Sequence, residues 1–503
     1  MRKYVYIFFF LAALCAFLLP FQFLLNFAHD DSFFYIKTAG NFAKGLGSTF
    51  DGINLTDGYH PLYFISLVLL FFIPEFLFRT SPEFLYRLVV LYHLILIFGI
   101  QYFVFRSLKN IFKKETNNIY VLILPVLFSS FIFIRDFGLE SHLACLLVSV
   151  FISVKSKELN TGENNIYLKS IILILLFLTR TDYLYTFIPF VLIADYYTSP
   201  GKKKYILFSL SFLFVTAVLY YLGNYLFFGH IDTVSGRILN NFPDIIFLSN
   251  INTLLTDPAK FYNQFAKIVI VFAAFIFFAV YYFRFKGKES TISKFYLIIL
   301  SLGAGSILFT LLHLLFNNYS MREWYMTMPV MLAIIMLFLA IRKNKFVLNI
   351  SLILSLILLI YVFYGSRIKN YKYVSSYEYA KTLNYLVNIN ESIYQVDYCG
   401  VAGFFSERNV IDGDGLINSF EYLDCLKSGR IDSYLAKYNV KYYSTYSTNN
   451  LLKDSVYTDN NFSDKINGKE FIFPKSSLVT EQPFNWNHIA FDLTGKWYLF
   501  KLK

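Results

Sequence analysis

The feature that most constrains this chain is a recurrence of apolar runs, many of roughly 20 residues, between which lysine and arginine fall in short clusters. Runs of that length cross a lipid bilayer, and a soluble domain has no means of burying so many of them. Composition agrees, since 56% of the 503 residues are hydrophobic and only 16% are charged, with 59 Phe and 41 Tyr. The N-terminal Met1-Arg2-Lys3 and the apolar run that follows to Phe27 have the outline of a secretory signal, and Ala12, Ala13 and Cys15 loosely imitate a processing site. Leu14 is too bulky to precede a processed cysteine. The run also continues to bilayer length, so it reads as a retained span.

The formal charge of +12 would suit a nucleic-acid partner only if the cations shared one face. They fall instead between apolar runs, which is the pattern that cytoplasmic loops of membrane proteins display. Nucleic acid is therefore not an expected partner. The clusters Arg106/Lys109/Lys113/Lys114, Lys155/Lys157, Lys202/Lys203/Lys204, Arg284/Lys286/Lys288 and Arg342/Lys343/Lys345 are placed inside. The polar segments midway between them, at 135–142, 180–182, 229–264 and 317–324, then lie on the opposite face. The segment from Pro61 to Phe78 is apolar, yet its uninterrupted part ends at Ile73 before Pro74-Glu75, so it reads as a re-entrant or interfacial helix.

Spans are expected near 4–27, 86–105, 119–134, 140–154, 167–179, 183–195, 206–228, 265–283, 295–316, 325–341 and 346–364. The fold class is an α-helical polytopic membrane protein of about 11 transmembrane helices. It is expected as a multi-pass protein of the inner (plasma) membrane with its C-terminus outside. The pair of short spans at 167–195 places Arg180-Thr-Asp182 at the floor of an outward cavity. Residues 1–365 form the membrane module, whose first outer loop is 28–85. Residues 366–503 read as an extracytoplasmic α+β domain, with a helix near Tyr377 to Val387, strands near Tyr394 to Tyr398 and Lys441 to Ser444, and a turn at Asp412-Gly-Asp-Gly415. Cys399 and Cys425 of this domain could pair; Cys15 and Cys145 lie in apolar runs.

The densest polar constellation follows the first span, from His29-Asp30-Asp31 through Lys37, Asn41, Lys44, Gly45 and Gly47 to Asp57-Gly-Tyr59-His60-Pro61. Asp30, Lys37, Asn41 and Lys44 recur at helical spacing on one face, and Gly45 is placed to end the helix. A carboxylate there could take the proton of an acceptor hydroxyl while the lysine holds a phosphate. The plainer reading has either aspartate capping a solvated helix. Asp31, rotated by about 100 degrees from Asp30, is the better placed of the two for a cap or a metal. Glu140 reaches the same face and, with Asp30 or Asp31, could bind a divalent cation or orient the acceptor; its plainer fate is a salt bridge to Arg135. Arg180 and Asp182 sit at membrane depth, where charge pairs or serves a site, and pairing with each other is the simple outcome. Arg237 could reach a phosphate from its loop. His142 and His230 read as ordinary loop histidines with no metal-ligand spacing, and Arg322-Glu-Trp-Tyr325 as an aromatic belt. No Walker loop or dinucleotide fingerprint is present, which leaves a nucleotide or nucleotide-sugar site unsupported.

Taken in order, these pieces resemble the membrane-embedded C-type glycosyltransferases (the GT-C fold), especially the branch of cell-wall arabinofuranosyltransferases. Protein O-mannosyltransferases and lipid A aminoarabinose transferases are more distant. The resemblance is carried by Asp30-Asp31 with Lys37, Asn41, Gly45 and Gly47, Gly58-Tyr59 before Pro61-Leu62, Gly138-Leu-Glu140, Arg180 and Asp182, and Phe228-Gly229 leading to Ser235. Ala402-Gly403 and Asp414-Gly-Leu-Ile-Asn418 look like the outer domain of such enzymes. The resemblance implies inverting transfer from a polyprenyl-phosphate sugar to a cell-envelope glycan, lipid or protein on the extracytoplasmic side. It makes Asp30 the general base, with Asp31 beside it, Lys37 a phosphate ligand, and Glu140 and Arg180 pocket residues; Asn41, Tyr59, His60, Asp182 and Arg237 complete the expected donor and substrate contacts. The sequence departs from the family at Thr181, where proline is usual, and at Lys37, where arginine would give a bidentate phosphate contact. A transporter or flippase of a lipid-linked glycan is the alternative from another class, and would be expected to show inverted repeats and broken helices. An O-antigen polymerase or ligase would load a late outer loop, whereas this chain loads its first.

Overall fold

The computed structural model describes residues 2–78, 80–112, 123–128, 136–199, 202–257, 260–285, 290–318, 321–368, 372–449, 451–453, 456–459, 471–487 and 492–502. Most of the expected span at 119–134, and the cations Lys113, Lys114, Arg135, Lys286 and Lys288, fall outside these residues. The chain is mainly helical up to Leu386 and then builds a small sheet domain.

Among the described residues five helices are long and apolar enough to cross a bilayer: Pro82–Phe112, Ile206–Phe228, Ala266–Arg284, Thr291–Phe316 and Glu323–Ile341. The first span expected from sequence is broken. Pro20, which has no N–H to continue the ladder, separates α1 (Arg2–Leu18) from α2 (Phe21–Leu25). α3 (Asp30–Ala43) follows, and Gly45 stops it at φ +81°, a conformation that costs a glycine little. α4 (Pro61–Leu77) runs as one helix through Pro74 and is one of the shorter apolar helices. Next come α5 (Pro82–Phe112), α6 (Ser141–Thr161), α7 (Ile166–Thr179), α8 (Tyr183–Thr186), α9 (Ile188–Thr198) and α10 (Lys202–Phe228). The outer segment after α10 carries α11 (Val234–Leu239) and α12 (Phe247–Thr256). The remaining membrane-module helices are α13 (Ala266–Phe285), α14 (Thr291–Phe316), α15 (Thr327–Ile341) and α16 (Lys345–Ile368).

At one end of α6, α7 and α9 lies a buried ion cluster. Lys155 Nζ is 2.8 Å from Asp195 and 3.1 Å from Glu158, and Lys169 Nζ is 2.8 Å from Asp195 and 3.0 Å from Glu158. Two cations facing two anions leave no uncompensated charge, the condition under which burial of ions is tolerable. Lys155 therefore departs from the expectation of a solvated loop cation: it is fully buried, whereas Lys157 stays exposed beside Glu163.

After α17 (Lys372–Leu386), the strands β1 (Ser392–Gln395), β2 (Asn409–Asp412), β3 (Val440–Ser447), β7 (Leu478–Asn487) and β8 (Asp492–Lys501) form a sheet in the order β2-β1-β3-β8-β7. β1 is parallel to both β2 and β3, and β8 is antiparallel to β3 and β7. β4 (Leu452–Lys453), β5 (Val456–Asp459) and β6 (Phe471–Pro474) make a second, antiparallel sheet. Tyr379 of α17 stacks on Trp497 of β8 at 4.9 Å between ring centroids and closes the core over the sheet. The helix between β1 and β2, α18 (Cys399–Phe405), faces the membrane module. Cys399 and Cys425 are free thiols, and the Cys399 Sγ–H donates to Asp412 at 2.8 Å.

Candidate functional site

The first loop is held from two sides. Phe137 N–H donates to Phe27 O at 2.9 Å, and the Ser32 hydroxyl donates to Phe137 O at 2.8 Å, which draws the 136–140 segment against the start of α3. Gly138 permits this approach. Its φ is +91°, and a Cβ there would lie 2.5 Å from the Ser32 Cβ. Glu140 is thereby brought beside Tyr35, whose hydroxyl donates to Glu140 Oε2 at 3.3 Å and accepts from His60 N–H at 3.3 Å.

Around Glu140 a charged cluster closes. Arg180 Nη1 donates to Glu140 Oε1 at 2.6 Å, while its Nε and Nη2 donate to Asp182 at 3.2 and 2.8 Å. His60 Nε2 lies 3.8 Å from Glu140, and His313 Nε2 lies 3.3 Å from Asp182. The Tyr325 ring lies under the guanidinium, 4.3 Å from Arg180 Cζ, with Phe309 at 5.3 Å. A neighbouring group joins His29, Asp136 and Trp324: His29 Nε2 is 3.4 Å from Asp136, and its ring is 4.9 Å from Trp324. Asp136 also accepts a hydrogen bond from Thr327. The Arg180–Asp182 pairing was expected. Glu140, however, takes Arg180 as its partner.

Asp30 and Lys37 share a face of α3, as their spacing predicts, and that face is turned to α18. Gly400 N–H and Val401 N–H donate to the two carboxylate oxygens of Asp30 at 3.0 and 2.9 Å. Lys37 Nζ donates to Gly403 O at 2.6 Å and to Arg408 O at 3.1 Å. An acid thus meets the positive end of α18 and a cation its negative end. Burial pushes the Asp30 carboxyl up to about 7 against the pull of these amides, and brings Lys37 down to about 8. The cap of α3 itself is His29, so neither aspartate has that task. Asp31 is half-buried, and its carboxylate has no hydrogen-bond partner among the described residues. One helical turn separates it from Tyr35, so it stands on the side of α3 that faces Glu140.

The other expected residues have structural occupations. Asn41 Nδ2 donates to Thr49 O and Phe50 O, Lys44 Nζ is 3.6 Å from Glu75, and the Tyr59 hydroxyl is 2.6 Å from Ser48 Oγ. Arg237 is bound in bidentate fashion to Asp232, at 2.7 and 3.2 Å. Asp57 Oδ1 accepts from Val234 N–H at 2.9 Å, and Gly58 lies against the 412–418 loop, where a Cβ would fall 2.1 Å from Leu416 O.

Two further expectations are corrected. His142 is a buried residue of α6 rather than a loop histidine, with its Nδ1 2.6 Å from His93 Nδ1. Trp324 and Tyr325 face the cluster rather than forming a lipid belt, because the Arg180 guanidinium attracts the Tyr325 ring face. Tyr35, His29, Asp136 and His313 were not anticipated as cluster residues. The positions of His29 and Asp136 beside the recognised acids were the available signal; nothing local singles out His313. Among the described residues no three His, Cys, Asp or Glu converge in an arrangement able to hold a metal ion. The oxygens of Asp30 and Glu140 go to different partners, so these two do not form the shared cation site considered from sequence.

The fold and cluster define a helical membrane protein with an attached sheet domain and a buried charged cluster at one end of its helices. No protein-family model matches the chain, and no curated protein matches it.

Proposed function

We propose that this protein is a membrane-embedded glycosyltransferase of the C type, with about 11 spans. It moves a sugar, with inversion, from a polyprenyl-phosphate donor to a hydroxyl of a cell-envelope glycan, lipid or protein on the extracytoplasmic face. The observation that carries this reading is a buried cluster of arginine, acids, histidines and aromatic rings drawn from separate segments of the chain, reached by Tyr35 one helical turn from Asp31, whose carboxylate has no hydrogen-bond partner among the described residues. Charged groups at the ends of spans are costly unless they pair or serve a site, and this set, gathered from separate segments, suits an anionic donor next to a base.

In this mechanism Asp31 accepts the proton of the acceptor hydroxyl as its oxygen bonds to the anomeric carbon. The bond from that carbon to the phosphate oxygen breaks, and the polyprenyl phosphate leaves with the electron pair. Asp30 is a positioning residue, since both of its oxygens hold α18. The phosphate is held by the N–H groups of Arg180 that Glu140 and Asp182 leave over, with His60 and His313 beside those acids. Lys37 has no part in this because its ammonium is directed at two carbonyls.

The test is single-turnover transfer with a defined polyprenyl-phosphate sugar in detergent. Asp31→Asn should lower the rate by about 10² to 10⁴ with donor binding retained, the range of a lost general base. An unchanged rate in Asp31→Asn would remove the base assignment. Movement of the lipid-linked sugar across liposomes without any transfer would replace the enzyme with a flippase.

A further inference from the structure

We infer that α12 is an interfacial helix that lies along the membrane surface with an apolar stripe in the lipid leaflet at the cluster's end of the spans. The inference rests on the membrane-spanning helices and not on the glycosyltransferase reading. Three sectors run along α12. Asn250 and Leu254 face the protein and are buried, whereas Ser249, Asn252 and Thr256 form a polar sector. Between them Leu248, Ile251 and Leu255 recur at three and then four residues. Leu248 and Leu255 are strongly exposed for apolar residues, 81% and 49% accessible, while Ile251 between them is half-buried against the protein; just before the helix, Phe242 and Ile245 are 68% and 69% accessible. Exposed apolar rows of this kind mark a binding surface rather than a solvated one.

The depth of α12 identifies its occupant. Asn250 Nδ2 donates to Leu314 O and Asn317 O, both at 2.9 Å. Ile246 N–H donates to Leu315 O at 2.9 Å, and Asn241 N–H to Phe316 O at 2.8 Å. All four acceptors belong to the last turn of α14 or the residue after it, and α14 is a membrane-crossing helix. α12 is thus pinned at the level where that span leaves the hydrocarbon. The lipid-facing row of α10 also continues towards this level through Leu226 and Phe227, 69% and 79% accessible. An amphipathic helix at that height places its apolar stripe at the headgroup and acyl boundary.

The experiment uses the full chain in lipid nanodiscs, with a nitroxide attached at Leu248→Cys, Leu255→Cys or Asn252→Cys in turn and the signal of the unsubstituted protein subtracted. Collision with oxygen, which concentrates in lipid, is compared with collision with a water-soluble nickel chelate. The labels at positions 248 and 255 should favour oxygen several-fold more than the label at 252. Equal nickel access at all three positions overturns the inference. Spin–spin broadening at 248 overturns it too, because a second copy of the chain would then cover the stripe. Neither result bears on Asp31, so failure here is separable from failure of the proposed chemistry.

Discussion

Arg180 carries one positive charge between two carboxylates, and that imbalance decides how the cluster responds to substitution. Arg180→Met leaves Glu140 and Asp182 buried without their cation, the situation that typically costs about 3–5 kcal/mol. Glu140→Gln keeps a one-to-one pair of Arg180 with Asp182 and should cost distinctly less. Thermal unfolding of the two variants in the same detergent checks the order, and a reversal would mean that Arg180 is not held by both acids. Asp30 adds a pH dependence. Its folded carboxyl titrates near 7, above the ordinary 3.8, because burial outweighs the two backbone donors. A raised carboxyl stabilises the docked state fully below the unfolded value, and that contribution is lost as pH rises through the folded one. Docking should therefore weaken between about pH 4 and pH 7, by a total on the order of 4 kcal/mol, and change little above. Release of the C-terminal domain by limited trypsin digestion at a series of pH values, corrected for the protease's own profile, measures this. In Asp30→Asn the dependence in that window should shrink to what Asp57 contributes, a neighbouring carboxyl that burial raises to about 6.

Two helices of opposite length and setting, α3 and α18, meet through a pair of charges. α18 has seven residues and little intrinsic stability, so its position depends on what satisfies its ends. Asp30 supplies the acceptor at one end and Lys37 the donor at the other. The contact is also sterically exact at Gly400, where a Cβ would stand 2.2 Å from Asp30 O. Backbone on the opposing side cannot swing away as a side chain would. Gly400→Ala should therefore separate α18 from α3 and raise hydrogen exchange at the amides of Gly400 and Val401. Unchanged protection at both amides would show that the contact tolerates a methyl group. Gly403 is a milder case, since its Cβ would meet the Phe50 ring, a side chain with some freedom to shift.

The whole molecule has two charged ends of different character. One holds the Glu140–Arg180–Asp182 cluster and the docked sheet domain; the other holds the closed Lys155–Glu158–Lys169–Asp195 set. α6 runs from one to the other, which fixes their opposition. With the lysine-rich ends inside, a topology reporter inserted after Gly162 should read cytoplasmic, while reporters after His60 and Lys503 read outside. A cytoplasmic reading after Lys503 would place the sheet domain, and the cluster beneath it, on the other face.

Periodicity and charge were enough to find the five apolar helices of spanning length among the described residues, the helical face shared by Asp30 and Lys37, the stop at Gly45 and the change to a sheet domain after the last long apolar run. Each of these is local: it depends on side chains within a few turns and on whether a segment prefers lipid or water. The partners of those residues were not local. A sequence shows that Asp30 and Lys37 point the same way, but not that a helix some 370 residues onward brings its two ends to meet them. It shows Glu140 among acids and arginines, but does not pick out Arg180 as its partner or Tyr325 as the ring beneath the guanidinium. Lys155 looks like any loop lysine until Asp195 and Glu158 are packed around it. Chain propensity therefore determined where the helices are and which faces are polar. Tertiary packing alone decided which charges neutralise one another, because burial makes an unpaired charge costly and leaves each one to find the partner that the fold places within reach.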